Sequence, residues 1–182
     1  MKEIRIHGRG GQGSVAAAEI MALAAFQDGK IPQAFPSFGS ERMGAPVTAF
    51  VRISDQRIRT RSQIYNPDYI VVQDPTLISV VDVASGLKPG GMIIVNTEKP
   101  IEELGLPSGF TVKAVPATRI ATEAIGRPIP NTALVGAFAA ATGEISLQAV
   151  IEAVRERFSG ELADRNVKAV ENAYKYVQGE LQ

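Results

Sequence analysis

The chain has 182 residues, 45% of them apolar, which is enough for one domain with a substantial core. Nineteen basic and nineteen acidic side chains cancel, and this balance disfavours nucleic acid or an anionic membrane as a partner. The absence of cysteine excludes disulfides, cysteine-ligated iron–sulfur clusters and a thiol nucleophile, and a single histidine excludes a zinc site with several histidine ligands.

Sequence signals for catalysis and for membranes are also missing. The chain has no G-x-S-x-G elbow and no G-D-G thiamine diphosphate signature, so we predict no catalytic residue and no metal ligand. It has no uninterrupted apolar run of 18 residues, so we expect neither a membrane span nor a signal peptide, and a cytoplasmic location.

The first predicted unit is a strand, a glycine turn and a helix. The strand covers residues 2–7 and the helix residues 15–27, with Ser14 as its N-cap. Between them lies the turn Gly8-Arg9-Gly10-Gly11-Gln12-Gly13. Unpaired backbone N–H groups and the helix dipole make such a turn suitable for a phosphate, although the glycines are equally explained by a tight turn alone.

Two common phosphate ligands do not fit this turn. A dinucleotide site needs an acidic residue about 20 positions further on, and residues 31–35 contain none. A P-loop needs a lysine before its serine or threonine, and no lysine precedes Ser14. A phosphate ligand here would be neither an ordinary NAD nor an ordinary ATP.

The rest of the chain alternates strands and helices. The first helix is apolar all round, so either the domain or a partner subunit must bury it. Residues 31–46 are predicted to be irregular, either a packed surface loop or a binding loop. Residues 47–53 and 57–61 are predicted to form a β-hairpin. The remaining predictions are strands at residues 69–73, 92–96 and 110–115, and helices at residues 76–84, 117–125 and 132–142, followed by two amphipathic helices.

These elements predict a single domain over residues 1–182 of the α/β class. We expect three layers, α/β/α, around a mostly parallel sheet with an antiparallel hairpin, and a Rossmann-like first strand-turn-helix. The far arm of the hairpin carries Arg57, Arg59 and Arg61 on one face. This row is interpreted either as a solvated strand face or as a surface for an anion or an acidic partner.

Six ordered blocks of the sequence resemble the gamma subunit of pyruvate (2-oxoacid):ferredoxin oxidoreductase, or pyruvate synthase. They cover nearly the whole chain: residues 7–13 (HGRGGQG), 35–47 (FPSFGSERMGAPV), 61–68 (RSQIYNPD), 74–77 (DPTL), 91–97 (GMIIVNT) and 131–137 (NTALVGA). One position departs from the family pattern Glu-Arg-Arg-Gly, because Met43 stands where the second arginine is usual.

The resemblance implies a multi-subunit enzyme that joins oxidative decarboxylation of a 2-oxoacid to coenzyme A and reduces ferredoxin. It places thiamine diphosphate, Mg²⁺ and [4Fe–4S] clusters in partner alpha, beta and delta subunits, so this chain would hold no redox centre. It also associates the gamma domain with coenzyme A. The implied contact residues are Gly8, Arg9, Gly10, Gly11, Gln12, Gly13 and Arg42.

Two other hypotheses about function are compatible with the sequence. The chain could belong to a 2-oxoisovalerate or other 2-oxoacid enzyme and act only in assembly, with Glu41 and Arg42 paired across an interface. A third hypothesis is a free-standing nucleotide-binding domain, which the first helix disfavours because it is apolar on all sides. The sequence does not identify the 2-oxoacid or the direction of the reaction.

Overall fold

The computed structural model describes residues 1–37 and 42–180. The described β-strands are β1 (Lys2–Arg9), β2 (Ile31–Pro36), β3 (Pro46–Ser54), β4 (Tyr69–Val72), β5 (Met92–Asn96) and β6 (Thr111–Val115). The α-helices are α1 (Ser14–Gln27), α2 (Ala117–Ile125), α3 (Asn131–Thr142), α4 (Leu147–Arg157) and α5 (Gly160–Val177). Two short 3₁₀ helices cover Pro75–Ser79 and Ile101–Glu103.

The six strands form one sheet in the order β2-β3-β1-β4-β5-β6. Strands β1, β4, β5 and β6 pair in parallel, and β3 runs antiparallel to both β1 and β2. The mostly parallel sheet with an antiparallel hairpin, and the α/β class, are therefore confirmed. The strands that follow β1 in the chain lie on both sides of it, with β2 and β3 on one side and β4, β5 and β6 on the other. The turn after β1 therefore lies where an α/β sheet usually leaves a crevice.

The strand predicted at residues 47–53 is confirmed as β3, but its antiparallel partner is β2, in the segment 31–46 predicted to be irregular, and the second arm predicted at residues 57–61 is wrong. Strand β3 pairs with β2 on one edge and with β1 on the other, so neither edge is left for residues 57–61. Strand β2 forms despite Pro32 and Pro36 because it lies at the edge of the sheet, where a proline removes no ladder hydrogen bond to a further strand.

Side chains of β3 and β2, and not a strand ladder, bind the backbone of residues 60–62. Arg52 in β3 is 2% exposed, pairs with Glu3 at 2.9 Å and donates to the carbonyl of Ser62 at 2.7 Å. Gln33 in β2 donates to the carbonyl of Thr60 at 2.9 Å. The three arginines predicted to share a strand face, Arg57, Arg59 and Arg61, are exposed and form no salt bridge with any other residue in the described ranges.

The two faces of the sheet are covered differently. All five α-helices pack on one face, where they form a single core with alternate strand residues such as Ile4, Ile6 and Val71. The other face is covered by the 3₁₀ helix Pro75–Ser79 and by turns, in a smaller core that includes Ile70 and Leu77. The second outer layer thus consists of a short 3₁₀ helix and turns.

Helix α1 is less enclosed than its composition suggests. It packs against β2, β3 and α4, and it buries Ile20, Met21 and Ala24. Phe26 near its carboxyl end is nevertheless 67% exposed. The domain alone therefore does not cover this helix on all sides.

Three predicted helix boundaries need correction. The helix expected at residues 76–84 is only the 3₁₀ helix Pro75–Ser79, because the β-branched residues that follow disfavour continuation. Gly13, not Ser14, occupies the N-cap of α1 and has left-handed backbone angles. Pro130, not Asn131, precedes α3, and the Asn131 side chain accepts a hydrogen bond from the Thr132 N–H instead.

Helix α3 makes a close contact at Gly136. A Cβ built there would collide with the backbone carbonyl of Val170 in α5. The missing side chain therefore lets α3 and α5 approach closely. None of the helices within residues 1–37 and 42–180 is long and apolar enough to cross a membrane.

Candidate functional site at the glycine turn

The glycine turn connects β1 directly to the first turn of α1. Gly11 and Gly13 have φ of +92° and +75°, a region that side-chain-bearing residues rarely adopt. Gly13 makes no side-chain cap, and α1 has no acidic residue in its first turn. The helix therefore offers free backbone donors and an uncompensated positive dipole at this end.

A segment about 30 residues further along the chain holds the turn in place. The Gly10 N–H donates to the Ala45 carbonyl at 2.9 Å, and the Gly44 N–H donates to the Gly10 carbonyl at 3.0 Å. Gly10 also forms a parallel bridge with Met43. A Cβ at Gly10 would collide with the carbonyl oxygen of Arg42, so only glycine permits this approach.

This contact brings Arg42, a predicted site residue, to the turn. Its side chain is exposed, and it forms no salt bridge with another residue of ranges 1–37 and 42–180. Met43 is 87% exposed, and its thioether lies where a Cβ of Gly11 would be. Glu41, the proposed partner of Arg42 across an interface, and Phe38 lie outside the described residues.

Arg9 is held by partners within the chain. Its guanidinium lies 3.2 Å from the Asp74 carboxylate and donates to the Thr76 hydroxyl at 2.9 Å and to the Gly44 carbonyl at 3.0 Å. An anion at the turn would have to share Arg9 with Asp74. Arg42 is therefore the better candidate for a charge-assisted contact.

The side chain of Gln12 closes the turn on itself. Its oxygen accepts from the Arg9 N–H at 2.7 Å, and its nitrogen donates to Asp74 at 2.9 Å. Burial alone would raise the pKa of Asp74, but hydrogen bonds from Thr76 and Gln12 and the charge of Arg9 hold that pKa below its usual value. The ionised carboxylate thus ties the turn to the 3₁₀ helix Pro75–Ser79.

The turn opens onto a cavity of about 340 Å³. Its lining combines the turn, the first residues of α1 and the start of β3: Arg9, Gly10, Gly11, Gly13, Ser14, Val15, Val47 and Thr48. Four of the seven predicted site residues therefore line it. The other three, Gly8, Gln12 and Arg42, do not line it, and a Cβ at Gly8 would collide with the Ser14 hydroxyl.

His7 lies next to the turn in sequence but faces away from the cavity. Its Nε2 accepts a hydrogen bond from the Arg5 guanidinium at 3.0 Å, and it is 8% exposed. Burial and the neighbouring Arg5 charge lower the pKa of His7 to about 4. The imidazole is consequently neutral near pH 7, and it orders the sheet face opposite the α-helices.

Sequence reasoning missed three polar residues near the turn. Asp74 and Gln73 directly follow β4, and Asn131 begins α3 with its side-chain nitrogen 3.4 Å from the Gly13 carbonyl. The predicted parallel strands could have indicated these positions, because the carboxyl ends of parallel strands lie at one edge of a sheet. The residues after β4 belong at the same edge as the turn after β1.

Comparison with known proteins gives a consistent result over the whole chain. The family model for pyruvate ferredoxin/flavodoxin oxidoreductase matches residues 3–176. Pyruvate synthase subunit PorC of Methanosarcina barkeri is 58% identical over 180 residues, with 99% of each chain covered. The Pyruvate/ketoisovalerate oxidoreductases common subunit gamma of Thermococcus kodakarensis is 56% identical, with 96% of each covered.

A solved structure agrees with these relatives. The crystal structure of the pyruvate oxidoreductase subunit PORC of Thermotoga maritima superposes with a TM-score of 0.85 at 40% identity. The alignment covers 96% of this chain and 95% of that one. The fold described above is therefore shared along nearly its full length.

Proposed function

The chain belongs to the pyruvate ferredoxin/flavodoxin oxidoreductase family, and from this premise we propose that its glycine turn holds a phosphate of coenzyme A. The chain is a gamma subunit of a multi-subunit pyruvate:ferredoxin oxidoreductase. That enzyme converts pyruvate, coenzyme A and oxidised ferredoxin to acetyl-CoA, carbon dioxide and reduced ferredoxin. Within that enzyme, the gamma subunit would contribute to the binding of coenzyme A.

The observation that carries the proposal is the cavity at the amino end of α1. Its lining includes the glycine backbone with left-handed φ at Gly11 and Gly13 and the start of α1, where no side chain caps the first N–H groups, so these N–H groups can bind a phosphate. Arg42 is exposed and its backbone carbonyl lies against Gly10, so its guanidinium is within the reach of one side chain of the turn and could add a charge-assisted contact. Coenzyme A carries phosphates and needs no acidic ribose ligand, which suits a turn without one.

The subunit's part in the reaction would be positioning. No cluster of three or more His, Cys, Asp or Glu side chains that could hold a metal occurs in the part of the chain that the structure describes. We propose that alpha, beta and delta subunits supply thiamine diphosphate, Mg²⁺ and the [4Fe–4S] clusters and pass electrons to ferredoxin. This chain would hold coenzyme A so that its thiol reaches the intermediate, which lowers the entropic part of the barrier.

A second candidate concerns the substrate. One relative is named as a gamma subunit common to pyruvate and ketoisovalerate oxidoreductases. A gamma subunit that contacts only the coenzyme could serve both, because the 2-oxoacid pocket would lie in other subunits. Assaying the native complex with pyruvate and with 2-oxoisovalerate distinguishes the two.

Arg42 tests whether the turn serves the ligand or assembly. We expect Arg42→Glu to raise the KM for coenzyme A about tenfold or more, because a cation is replaced by an anion beside the phosphate. Arg42→Gln is the matched neutral control and should give a smaller rise. All subunits should still copurify in both variants. Loss of partner subunits at unchanged KM in the remaining complex would instead assign Arg42 to assembly.

A further inference from the structure

A buried polar pair lies beneath the first turn of α1. Ser14, the first residue of the helix, is 3% exposed and lines the cavity. Gln73, directly after β4, is 1% exposed. The Ser14 hydroxyl donates a short hydrogen bond to the Gln73 side-chain oxygen. The pair therefore connects the cavity lining to the carboxyl end of the neighbouring parallel strand.

Gln73 is fixed from several sides, yet half of its amide lacks a partner. Its backbone N–H donates to the His7 carbonyl at 2.8 Å, and its carbonyl accepts from the Asn96 side chain at 2.8 Å. A Cβ at Gly8 would lie 2.6 Å from the Gln73 side-chain oxygen, so the strand itself confines the amide. The Gln73 Nε2 has no hydrogen-bond partner in the described residues.

An unpaired buried N–H group is costly, and native structures rarely keep one without a reason. Other buried amides here are satisfied: Asn166 accepts from the Thr132 hydroxyl at 2.9 Å and donates to the Leu162 carbonyl at 2.9 Å. Gln73 differs in its neighbour, because Ser14 opens onto the cavity. The unsatisfied group thus lies one hydrogen bond away from the candidate anion site.

The chemistry of the two groups allows a second arrangement. A glutamine amide has a donor end and an acceptor end of nearly equal size, and a hydroxyl can both donate and accept. If the amide turns by half a rotation, Nε2 donates to the Ser14 oxygen. The Ser14 hydrogen is then free to point into the cavity. A buried carbonyl oxygen with spare lone pairs is better tolerated than an unpaired N–H group.

We propose that Gln73 is a positioning residue for coenzyme A, which acts by turning the Ser14 hydroxyl into a donor for the bound phosphate. This inference rests on the proposed function. Without the ligand, Ser14 donates to Gln73 and one amide N–H group is left unpaired. With the ligand, Gln73 donates to Ser14 and Ser14 donates to a phosphate oxygen. A phosphate oxygen that accepts from Ser14 therefore favours the arrangement in which the Gln73 Nε2 is also paired.

Removal of the Ser14/Gln73 pair should weaken coenzyme A binding without lowering the Tm. Removal of a pair with only a structural role should lower the Tm without affecting binding. In the double variant Ser14→Ala/Gln73→Met, both polar groups are replaced by apolar groups of similar shape. We expect the KM and the dissociation constant for coenzyme A to rise about tenfold, from loss of a hydrogen bond to a charged group. The kcat at saturating coenzyme A should not change. The Tm of the purified full chain should be equal to or above that of wild type.

The single variants test whether the two residues act as a unit. Ser14→Ala removes the donor, so it should raise the KM by nearly the full factor of the double variant. Gln73→Met removes only the amide that orients the donor, so it should raise the KM when Ser14 is present and have no further effect in the Ser14→Ala background. The dissociation constant is measured by calorimetry on the assembled complex without 2-oxoacid, so that binding is read independently of turnover.

A matched control removes a satisfied pair of the same chemistry. Thr132→Val/Asn166→Leu replaces the buried hydroxyl and amide between α3 and α5. We expect a lower Tm and unchanged coenzyme A binding. If the Ser14/Gln73 double variant behaves in the same way, the inference is wrong and that pair is structural.

Arg42→Glu, measured in parallel, distinguishes failure of the role of Gln73 from failure of the proposed coenzyme A site. If it weakens coenzyme A binding while the Ser14/Gln73 variants do not, the proposed function stands and the role of Gln73 is rejected. If neither set of variants affects binding, both the inference and the assignment of coenzyme A to the glycine turn are rejected.

Discussion

His7, the one histidine of the chain, shows how a single buried group can make stability depend on pH. Its Nε2 accepts from Arg5, and the Arg5 guanidinium also donates to the Val83 carbonyl at 3.0 Å. A protonated imidazole could not accept this bond and would lie beside a second positive charge. The folded chain therefore disfavours the charged form.

This environment predicts acid sensitivity over a defined range. The pKa of His7 is about 4 in the folded chain and near 6.5 when unfolded, so the unfolded chain binds the extra proton. Stability should therefore fall as pH drops from about 6.5 towards 4, by roughly 3 kcal/mol in total. Denaturant unfolding at several pH values measures this loss. The loss should be smaller in His7→Gln, and an identical pH dependence in the two proteins would refute the account.

Individual elements show which parts of the fold the sequence determines locally. Strands β4 and β5 were predictable because central parallel strands are continuous apolar runs, and the end of α1 was predictable from Gly29. Strand β2 was not, because its two prolines are acceptable only at an edge, and the edge is set by pairing with β3.

The candidate site was predictable to a similar degree. The glycine spacing identified the turn after β1, and the family resemblance identified Arg42. The pairing of Arg9 with Asp74 was not accessible, because the two residues are far apart in sequence and meet only through the parallel contact of β1 and β4. The same contact places Gln73 under Ser14.

The packing of α3 on α5 gives a prediction at the scale of elements. Gly136→Ala would gain about 1 kcal/mol of helix propensity. The new methyl group would, however, meet the Val170 backbone carbonyl, which cannot rotate away as a side chain can. We expect a net loss of about 1–3 kcal/mol from overpacking, measured by denaturant unfolding. Unchanged or increased stability would show that the two helices can separate at little cost.

At the scale of the whole molecule, the chain has the features of a component and few of a complete enzyme. It has no cysteine and one histidine, and that histidine is occupied in the core. Phe26 on α1 is exposed although the helix is apolar, and Arg57, Arg59 and Arg61 are exposed as well. These exposed surfaces are consistent with a gamma subunit that contacts other subunits.

Two substitutions of the same shape at Gly11 test whether the glycine turn binds a phosphate, because only one of them adds a charge. Gly11→Asp and Gly11→Asn have nearly the same size, and both residues tolerate the left-handed backbone that φ of +92° requires. Either side chain must displace the flexible Met43 thioether. The two variants therefore differ in one negative charge.

The KM for coenzyme A would be measured in the assembled complex, together with the decarboxylation step that needs no coenzyme. If a coenzyme A phosphate binds at the glycine turn, the KM should be at least about tenfold higher in Gly11→Asp than in Gly11→Asn, because a carboxylate would face the bound phosphate. Decarboxylation should be spared in both. Equal KM values in the two variants, or equal loss of both steps, would contradict a coenzyme A phosphate at the glycine turn.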